Sequence, residues 1–254
     1  HNIELHQLRI DYSKISKRNW FKKSQVVSDY VIFEERSKQV NAYLSKLQPE
    51  FVQYSHLGGL GKYRLNKVPC VIRLSSSTRR CFEYGGYGES EVQMLDQERI
   101  EFEAIKLADG VFGPSASMAQ LTEKATGVNV RIIETPYKEM NIKEDDCALK
   151  KVGLIKYILF FGSLVKLKGI ETIATILPAL FSKYDDIHFV FVGKSIRRKD
   201  NTEMSDYLKL SAGAFHNRVH ILGSLPQEQL RPIIRSAKLI ALPSLIDNFP
   251  NACI

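Results

Sequence analysis

The chain has 254 residues, of which 44% are apolar, and its formal net charge at pH 7 is +8. This length can bury one large core or two moderate ones, which favours a folded protein of two domains and excludes a disordered tail. The apolar runs are far shorter than the ~20 residues of a membrane-spanning helix, and no charged-then-apolar leader opens the sequence. We therefore expect a soluble protein.

The charge is distributed unevenly along the chain. Lys and Arg outnumber Asp and Glu by 15 to 6 over residues 1–80 and by 14 to 8 over residues 151–254, whereas acids prevail by 14 to 7 between them. Two basic segments around an acidic one suit phosphate-bearing ligands or an anionic membrane surface, and solvated helix faces would give the same pattern. Nucleic acid is not expected as a partner, because no recognised module or ladder of base-stacking aromatic residues accompanies the charge.

The cysteines carry no metal or disulfide signature. They lie far apart, without a CxxC pair or a histidine at metal-ligand spacing, at Cys70, Cys81, Cys147 and Cys253. Neither a zinc site nor a disulfide framework is predicted, and we expect a reducing, cytosolic location.

The first half of the chain alternates between predicted strands and helices. The segments FVQYSH, PCVIRLSS, GVFGPS and VRIIETP have the composition of buried strands, and ESEVQMLDQERIEFEAIKLA and ASMAQLTEKATG have helical spacing. This alternation predicts a doubly wound parallel sheet. The long helix carries acids spread around its circumference, which a solvated face explains: Glu91, Glu98, Glu101 and Glu103.

From Ile155 onward, apolar runs alternate regularly with amphipathic segments. The runs IKYILFFG, HFVFVG, RVHILG and KLIALPS predict strands, and KGIETIATILPALFSKY, EMSDYLKLSAG and PQEQLRPIIRSA predict the helices between them. Continuous apolar strands that alternate with helices are typical of a parallel sheet covered on both faces. The pattern predicts a Rossmann-like domain with four strands.

The loops after these strands contain the first candidate residues, since ligands bind beyond the carboxyl ends of parallel strands. Three loops carry a glycine where the strand ends, at Gly162, Gly193 and Gly223, which permits a close backbone approach to a ligand and is also common in simple turns. Lys166 and Lys168 precede a predicted helix, whose amino terminus itself attracts anions. The pair indicates either a phosphate site or two solvated lysines.

One carboxylate stands out after the last predicted strand. Asp247 lies in a polar turn just before a helix that we predict to start near Phe249. A carboxylate in this position either caps the helix or accepts hydrogen bonds from sugar hydroxyls.

Taken together, FFGSLVKLKGIETIATILPAL, HFVFVGK and RVHILGSLPQEQLRPIIRSAKLIALPSLIDNFPN resemble the donor-binding half of the family 4 (group 1) glycosyltransferases over residues 155–254. The resemblance implies the GT-B architecture of two Rossmann-like domains, here truncated at both ends. Gly162, Leu164, Lys168 and Gly169 match a Gly-Arg-Leu turn followed by Lys-Gly. Ser163 stands where the family usually has arginine. The family's second glutamate would fall at position 255, outside the chain.

The resemblance also implies roles for individual residues. Lys168 and Asp247, which replaces the family's first glutamate, are implied as catalytic residues. Pro243 and Ser244 match the turn that leads to that acid. The implied donor-binding residues are Gly162, Ser163, Lys166, Gly193, Gly223, Ser224, Leu225, Asn248 and Phe249.

The implied activity is that of a retaining glycosyltransferase. It would move a hexosyl unit from a nucleotide-diphosphate sugar to a glycan or a lipid-linked acceptor, without an obligatory metal or another cofactor, and touch anionic membranes peripherally. An alternative is a GT-B-like protein that binds nucleotide sugar or glycan without catalysis, which Ser163 and the shorter acid Asp247 favour. A dehydrogenase is disfavoured, because no G-x-G-x-x-G opens a helix after the first strand of either half.

In the same comparison, residues 1–140 resemble the family's acceptor domain, residues 141–153 its linker and residues 154–254 its donor domain. The segment SHLGGLGKYR suggests a flexible loop that exposes its backbone, and RLSSSTRR places arginines where they could meet an anionic acceptor. The acceptor-side candidates are His56, Gly58, Gly59, Arg73 and Arg79. A lone histidine at a strand end is also common as a structural residue.

Overall fold

The computed structural model of the protein describes residues 4–13, 29–85, 90–137, 141–153 and 155–249. Packing divides the described chain into two units, one within residues 1–82 and 89–135 and the other within residues 83–88 and 136–254. The helix predicted to start near Phe249 falls on residues 250–254, outside the described residues, as does Cys253.

The first part of the chain forms an α/β unit with one parallel sheet. In chain order its elements are α1 (Asp29–Leu47), β1 (Val52–Ser55), a 3₁₀ helix (Leu57–Tyr63), β2 (Cys70–Arg73), α2 (Thr78–Gly85), α3 (Glu91–Leu107), β3 (Gly110–Gly113), α4 (Ala116–Thr126) and β4 (Arg131–Ile132). All strand pairs are parallel, and the order β1-β2-β3-β4 follows the chain.

Sequence signals explain where the elements of this sheet begin and end. Ser90 and Gln93 form a capping box at the start of α3, in which each side chain accepts a hydrogen bond from the other residue's backbone N–H. Alternate strand residues point into the core, where Ile72 and Leu74 are fully buried. The positions of strands and helices predicted for this half are therefore confirmed.

The second unit contains four more strands and their helices. In chain order these are α5 (Cys147–Val152), β5 (Lys156–Phe161), a 3₁₀ helix (Lys166–Lys168), α6 (Ile170–Lys183), β6 (Ile187–Val192), α7 (Met204–Ser211), a 3₁₀ helix (Gly213–Arg218), β7 (Val219–Ile221), α8 (Gln227–Ser236) and β8 (Leu239–Ile240). All pairs are parallel in the order β7-β6-β5-β8.

Both faces of the second sheet are covered, because β6 is apolar on each side. Phe189 and Phe191 pack into one core with Phe181 of α6, and Val190 packs into another with Ile233 of α8. Each of these side chains is at most 1% exposed. Two parallel-sheet α/β units confirm the fold class predicted from the sequence.

The segment predicted to be a linker is partly ordered against the second unit. It contains α5, and the backbone N–H of Asp145 donates to the carbonyl of Glu228 at 3.0 Å. The side chain of Asp145 also accepts a hydrogen bond from Gln229 at 2.7 Å. These contacts attach Asp145 to the start of α8, and the role of residues 141–153 as a linker stays a prediction.

Candidate functional site

The strand order of the second unit locates its ligand crevice. Strands β6 and β7 lie on one side of β5, whereas β8 lies on the other. Where the order reverses in this way, the loops that leave neighbouring strands diverge and open a crevice at the carboxyl edge of the sheet. The candidate site therefore consists of the segments that follow β5 and β8.

The predicted glycines lie in a row along this edge. The N–H of Gly162 donates to Val192 at 2.9 Å, and the N–H of Gly193 donates to Gly223 at 2.7 Å. A Cβ atom at Gly193 would lie 1.8 Å from the carbonyl oxygen of Gly162. Close packing between strand ends thus explains why Gly193 is a glycine without any ligand.

The turn after β5 and the loop after β8 are packed backbone to backbone. Gly169 has a φ of +75°, and a Cβ atom there would lie 1.9 Å from the carbonyl oxygen of Pro243. The N–H of Leu245, two residues after Pro243, donates to the carbonyl of Leu167, two residues before Gly169, at 2.9 Å. Only glycine fits at position 169, and the two segments are held at a fixed separation.

This packing brings together the two predicted catalytic residues. The Nζ atom of Lys168 lies 2.5 Å from Oδ2 of Asp247, although the residues are 79 positions apart in the sequence. Their side chains are 37% and 22% exposed, respectively. The pair is a charge-assisted hydrogen bond between two partly exposed side chains.

The remaining predicted donor-site residues differ in their surroundings. The Oδ1 atom of Asn248 is buried and has no hydrogen-bond partner within the described chain. Ser163 and Ser224 are exposed, Phe249 is half-buried, and Leu225 packs into the core beneath α8. An unsatisfied buried oxygen beside Asp247 is the feature of this group that points to a ligand with a hydroxyl or N–H donor.

Lys166 lies in a cleft on the opposite side of the same turn from the loop after β8. The loop after β6 runs alongside this turn through a bridge between Leu164 and Ser195. The cleft is lined by Gly85, Leu164, Val165, Lys166, Glu171, Ile196, Arg197, Arg198, Lys199, Asp200 and Met204. The sequence signal for this cleft is the charged run KSIRRKD. Neither the apolar periodicity nor the family motifs include this run, so the sequence analysis missed the cleft.

Arg198 is the most enclosed cation of this cleft. Its guanidinium lies 3.8 Å from the centroid of the Tyr207 ring, and its Nη1 donates to Asp200 at 2.8 Å. Its Nε lies 3.5 Å from Glu171, without a hydrogen bond among the described residues. Two acids and an aromatic ring thus already compensate this charge.

In the first unit, His56 is held by the polypeptide itself. It follows β1, is 4% exposed, and its Nδ1 accepts a hydrogen bond from the backbone N–H of Ser75 at 2.9 Å. Burial lowers the pKa of His56 from 6.5 to about 4. The imidazole is therefore neutral near pH 7 and is bonded to the loop after β2.

The glycine loop after His56 is packed, so its predicted flexibility is wrong. Gly58 and Gly59 are buried at a kink of the segment Leu57–Tyr63, with φ of +69° and +63°, and the N–H of Gly58 donates to Glu101 of α3 at 2.9 Å. Glu101 is 2% exposed and also accepts from Thr78 at 2.8 Å. The solvated face predicted for the acids of this helix is therefore wrong for Glu101, whose pKa is raised by burial.

The two arginines proposed for the acceptor side differ in their exposure and in their contacts. Arg73 ends β2 and is exposed. Arg79 lies in the first turn of α2, and its guanidinium forms an ion pair with Glu98 at 2.5 Å. The acceptor role of these residues stays a prediction.

Two parallel α/β units in one chain, with an open switch point in the second, define the GT-B class of fold. Residues 155–254 match the family model described as Glycosyl transferases group 1. The match covers 100 of the 254 residues, and over this segment it confirms the resemblance predicted from the sequence.

Sequence and structure comparisons agree with this assignment. The chain is 29% identical over 97 residues to a Homo sapiens subunit of phosphatidylinositol N-acetylglucosaminyltransferase, a match that covers 38% of this chain and 19% of the human protein. It resembles sucrose-phosphate synthase from Thermosynechococcus elongatus with a TM-score of 0.66 and 16% identity, over 88% of this chain and 57% of that one. A trehalose-6-phosphate protein from E. coli bound with UDP-2-fluoro glucose gives 0.62 and 11%, over 85% and 57%.

The chain covers only part of each of these relatives. The chain spans about a fifth of the human relative and little more than half of each of these structures. At such low identity, the structural likeness establishes the fold, and function depends on the site.

Proposed function

We propose that this chain carries the donor site of a glycosyltransferase, which moves a hexosyl unit from a nucleotide-diphosphate sugar to a glycan or a lipid-linked acceptor. The observation that carries the proposal is the position of Lys168 and Asp247 on the two loops that border the switch point. The match of residues 155–254 to the group 1 family supports it independently.

In this proposal Lys168 stabilises the leaving group. Breaking the bond between sugar and diphosphate places negative charge on the departing phosphate, and catalysis requires positive charge where that charge develops. Lys168 immediately precedes Gly169 and α6, so its ammonium group and the free N–H groups of the helix act at the same place. In this proposal the charge serves in place of an obligatory metal ion, and the reaction retains the anomeric configuration, as the family resemblance implies.

Asp247 and Asn248 would bind the donor sugar. A carboxylate accepts hydrogen bonds from sugar hydroxyls, and the buried Oδ1 of Asn248 lacks a donor in the described structure. Two adjacent acceptors on one fixed loop fit a ligand with neighbouring hydroxyl groups. UDP-2-fluoro glucose in the E. coli neighbour is a ligand of this class.

The name of the human relative favours one kind of acceptor. That name joins phosphatidylinositol, a lipid, to the transfer of N-acetylglucosamine. By analogy, we propose a lipid-linked acceptor for the complete protein ahead of a soluble glycan. None of the helices in the described ranges is long and apolar enough to cross a membrane. Peripheral contact with an anionic membrane remains a prediction, which cosedimentation with anionic and neutral vesicles tests.

A second candidate function is nucleotide-sugar binding without catalysis. Ser163, exposed at the end of β5, supplies no charge where the resemblance implies an arginine, and Lys168 is already paired with Asp247. With this function the chain binds the donor and leaves it intact. Release of nucleoside diphosphate from a bound nucleotide sugar, with or without acceptor, distinguishes the two functions.

The first test is calorimetric titration of the chain with UDP, GDP and ADP, with magnesium and with EDTA. We expect one of them to bind with a micromolar to millimolar Kd in both buffers, and Lys168→Ala to weaken this binding about tenfold or more, as for loss of a charged hydrogen bond. Lys156→Ala is the matched control, because Lys156 also forms a 2.5 Å ion pair, with Asp186, at the opposite end of β5. Absence of binding at millimolar concentrations would contradict the donor-site assignment.

A further inference from the structure

The lysine that the proposed function assigns to the diphosphate already has a counter-ion. Oδ2 of Asp247 lies 2.5 Å from Nζ of Lys168, which leaves no ordinary space for a phosphate oxygen along the same direction. Lys156 and Asp186 form a pair of equal length, with side chains 59% and 60% exposed. The pair at the switch point is more enclosed, at 37% and 22%, so water and salt screen it less.

The backbone holds this pair in place. The contact of Gly169 with Pro243 and the hydrogen bond from Leu245 to Leu167 fix the two loops against each other. Asp247 cannot leave by movement of its loop without breaking these contacts. Release of Lys168 therefore requires either rotation of a side chain or capture of the ammonium group by a competing anion.

A second cation of the same turn is uncompensated. Lys166 belongs to the same 3₁₀ helix as Lys168 and lines the cleft toward the loop after β6. Its ammonium group forms no ion pair with any residue of the described ranges. A nucleoside monophosphate carries less negative charge than a diphosphate, so it gains less from an ammonium group on Lys168 that has lost its counter-ion.

We propose that Asp247 is a resident counter-ion, and that donor binding is an exchange in which the diphosphate replaces Asp247 on Lys168. This inference rests on the proposed function and adds the order of events at that site. The displaced carboxylate becomes available to the sugar hydroxyls only after the diphosphate has arrived. After transfer, its return to Lys168 competes with the nucleoside diphosphate product and promotes product release.

The exchange predicts that neutralising Asp247 strengthens nucleotide binding. Asp247→Asn keeps the size of the side chain and removes its charge, so Lys168 is free for the ligand. We expect its Kd for the nucleoside diphosphate to fall about tenfold, while the Kd of the corresponding monophosphate changes less than about twofold. The same variant should transfer the sugar more slowly, because the amide is a weaker acceptor for its hydroxyls.

Asp186→Asn provides the matched control for charge. It also removes one acid from a 2.5 Å lysine pair of the same unit, at the start of β6 and away from the carboxyl edge of the sheet. A general effect of net charge would strengthen binding equally in both variants, and the proposal requires the gain to be confined to position 247. Thermal unfolding of each variant, and a second variant, Asp247→Ser, separate a binding effect from misfolding.

The outcomes distinguish this inference from the proposed function. Binding of a diphosphate to the unmodified chain through Lys168, with equal or weaker binding to both Asp247 variants, overturns the counter-ion exchange and leaves the donor site standing. If neither the unmodified chain nor a folded Asp247 variant binds any nucleotide, the donor site itself is refuted. A gain limited to the diphosphate, and absent from Asp186→Asn, supports the exchange.

Discussion

The two sheets of this protein present different carboxyl edges. In the first unit, the residues at the strand ends are bonded to one another: His56 is buried and neutral, and the loop that follows is anchored to Glu101. In the second unit, the corresponding edge carries the partly exposed pair Lys168 and Asp247 and a buried oxygen on Asn248 that has no hydrogen-bond partner among the described residues. The first edge is closed by its own hydrogen bonds, and the second is available to a ligand.

The strand orders explain this difference. The described strands of the first sheet follow the chain order, so no switch point lies among them. In the second sheet the order reverses at β5, and two loops diverge there. Similar secondary structure thus gives different chemistry, because topology decides which loops can meet a ligand.

The largest effect is expected from Gly169→Ala, which disrupts the packing at the carboxyl edge of the second sheet. A Cβ atom 1.9 Å from the Pro243 carbonyl forces the two loops apart, and φ is +75°. We expect a loss of about 4 kcal/mol in the free energy of unfolding, from steric strain and the left-handed conformation together, and loss of nucleotide binding. Urea unfolding followed by circular dichroism measures the free energy of unfolding, and calorimetric titration measures nucleotide binding. Gly213→Ala, at φ +57° with open space around its Cβ, is the control and should lose only about 1 kcal/mol.

The closed edge should be sensitive to acid. Since burial lowers the pKa of His56 from 6.5 to about 4, the unfolded chain binds a proton in that interval and the folded chain does not. The contribution of His56 to stability is complete above pH 6.5 and is lost as the pH falls to about 4, by about 3 kcal/mol. Unfolding free energies measured across this range should decline less steeply in His56→Gln than in the unmodified chain.

Other groups also titrate in this interval, and the variant isolates His56 from them. In the second sheet, Nδ1 of His188 lies 2.9 Å from Nε2 of His220, and burial lowers the pKa of both residues. Like His56, they therefore reduce the free energy of unfolding as the pH falls. Glu101, with a raised pKa, acts in the opposite direction. Equal slopes in the two proteins would show that His56 is protonated or exposed in the folded state.

A smaller effect is expected from Glu101→Leu. The substitution leaves the buried N–H of Gly58 and the hydroxyl of Thr78 without their acceptor, which costs about 2 kcal/mol of unfolding free energy. Glu91→Leu, on the exposed first turn of the same helix, is the control and should change stability by less than about 0.5 kcal/mol. Nucleotide affinity should be unchanged in both, and a loss of affinity in Glu101→Leu would contradict the assignment of the nucleotide site to the second unit.

The sequence predicted the elements of the second unit well, because its strands are continuous apolar runs and its helices are amphipathic. Lys168 and Asp247 were each found from their position after a predicted strand. Their contact was not predictable, since it requires β8 to lie beside β5, and apolar periodicity carries no information on strand order.

The errors in the first unit have a common cause. Helical spacing assigns Glu101 to a mixed surface, and three nearby glycines suggest a flexible loop. In the structure, the Gly58 segment packs on α3 and supplies an N–H donor for the buried carboxylate. Local pattern cannot detect a loop that covers a helix from a distant part of the chain, which is why both residues were misjudged.

The contact between Gly169 and Pro243 fixes the distance between the turn that carries Lys168 and the loop that carries Asp247. Because the main chain fixes the separation of the two loops, the reach of one acidic side chain decides where its charge rests. An aspartate at position 247 spans the gap and stops at Lys168. With the separation of the loops fixed, one added methylene would change the distance between the two charges and not the position of the backbone.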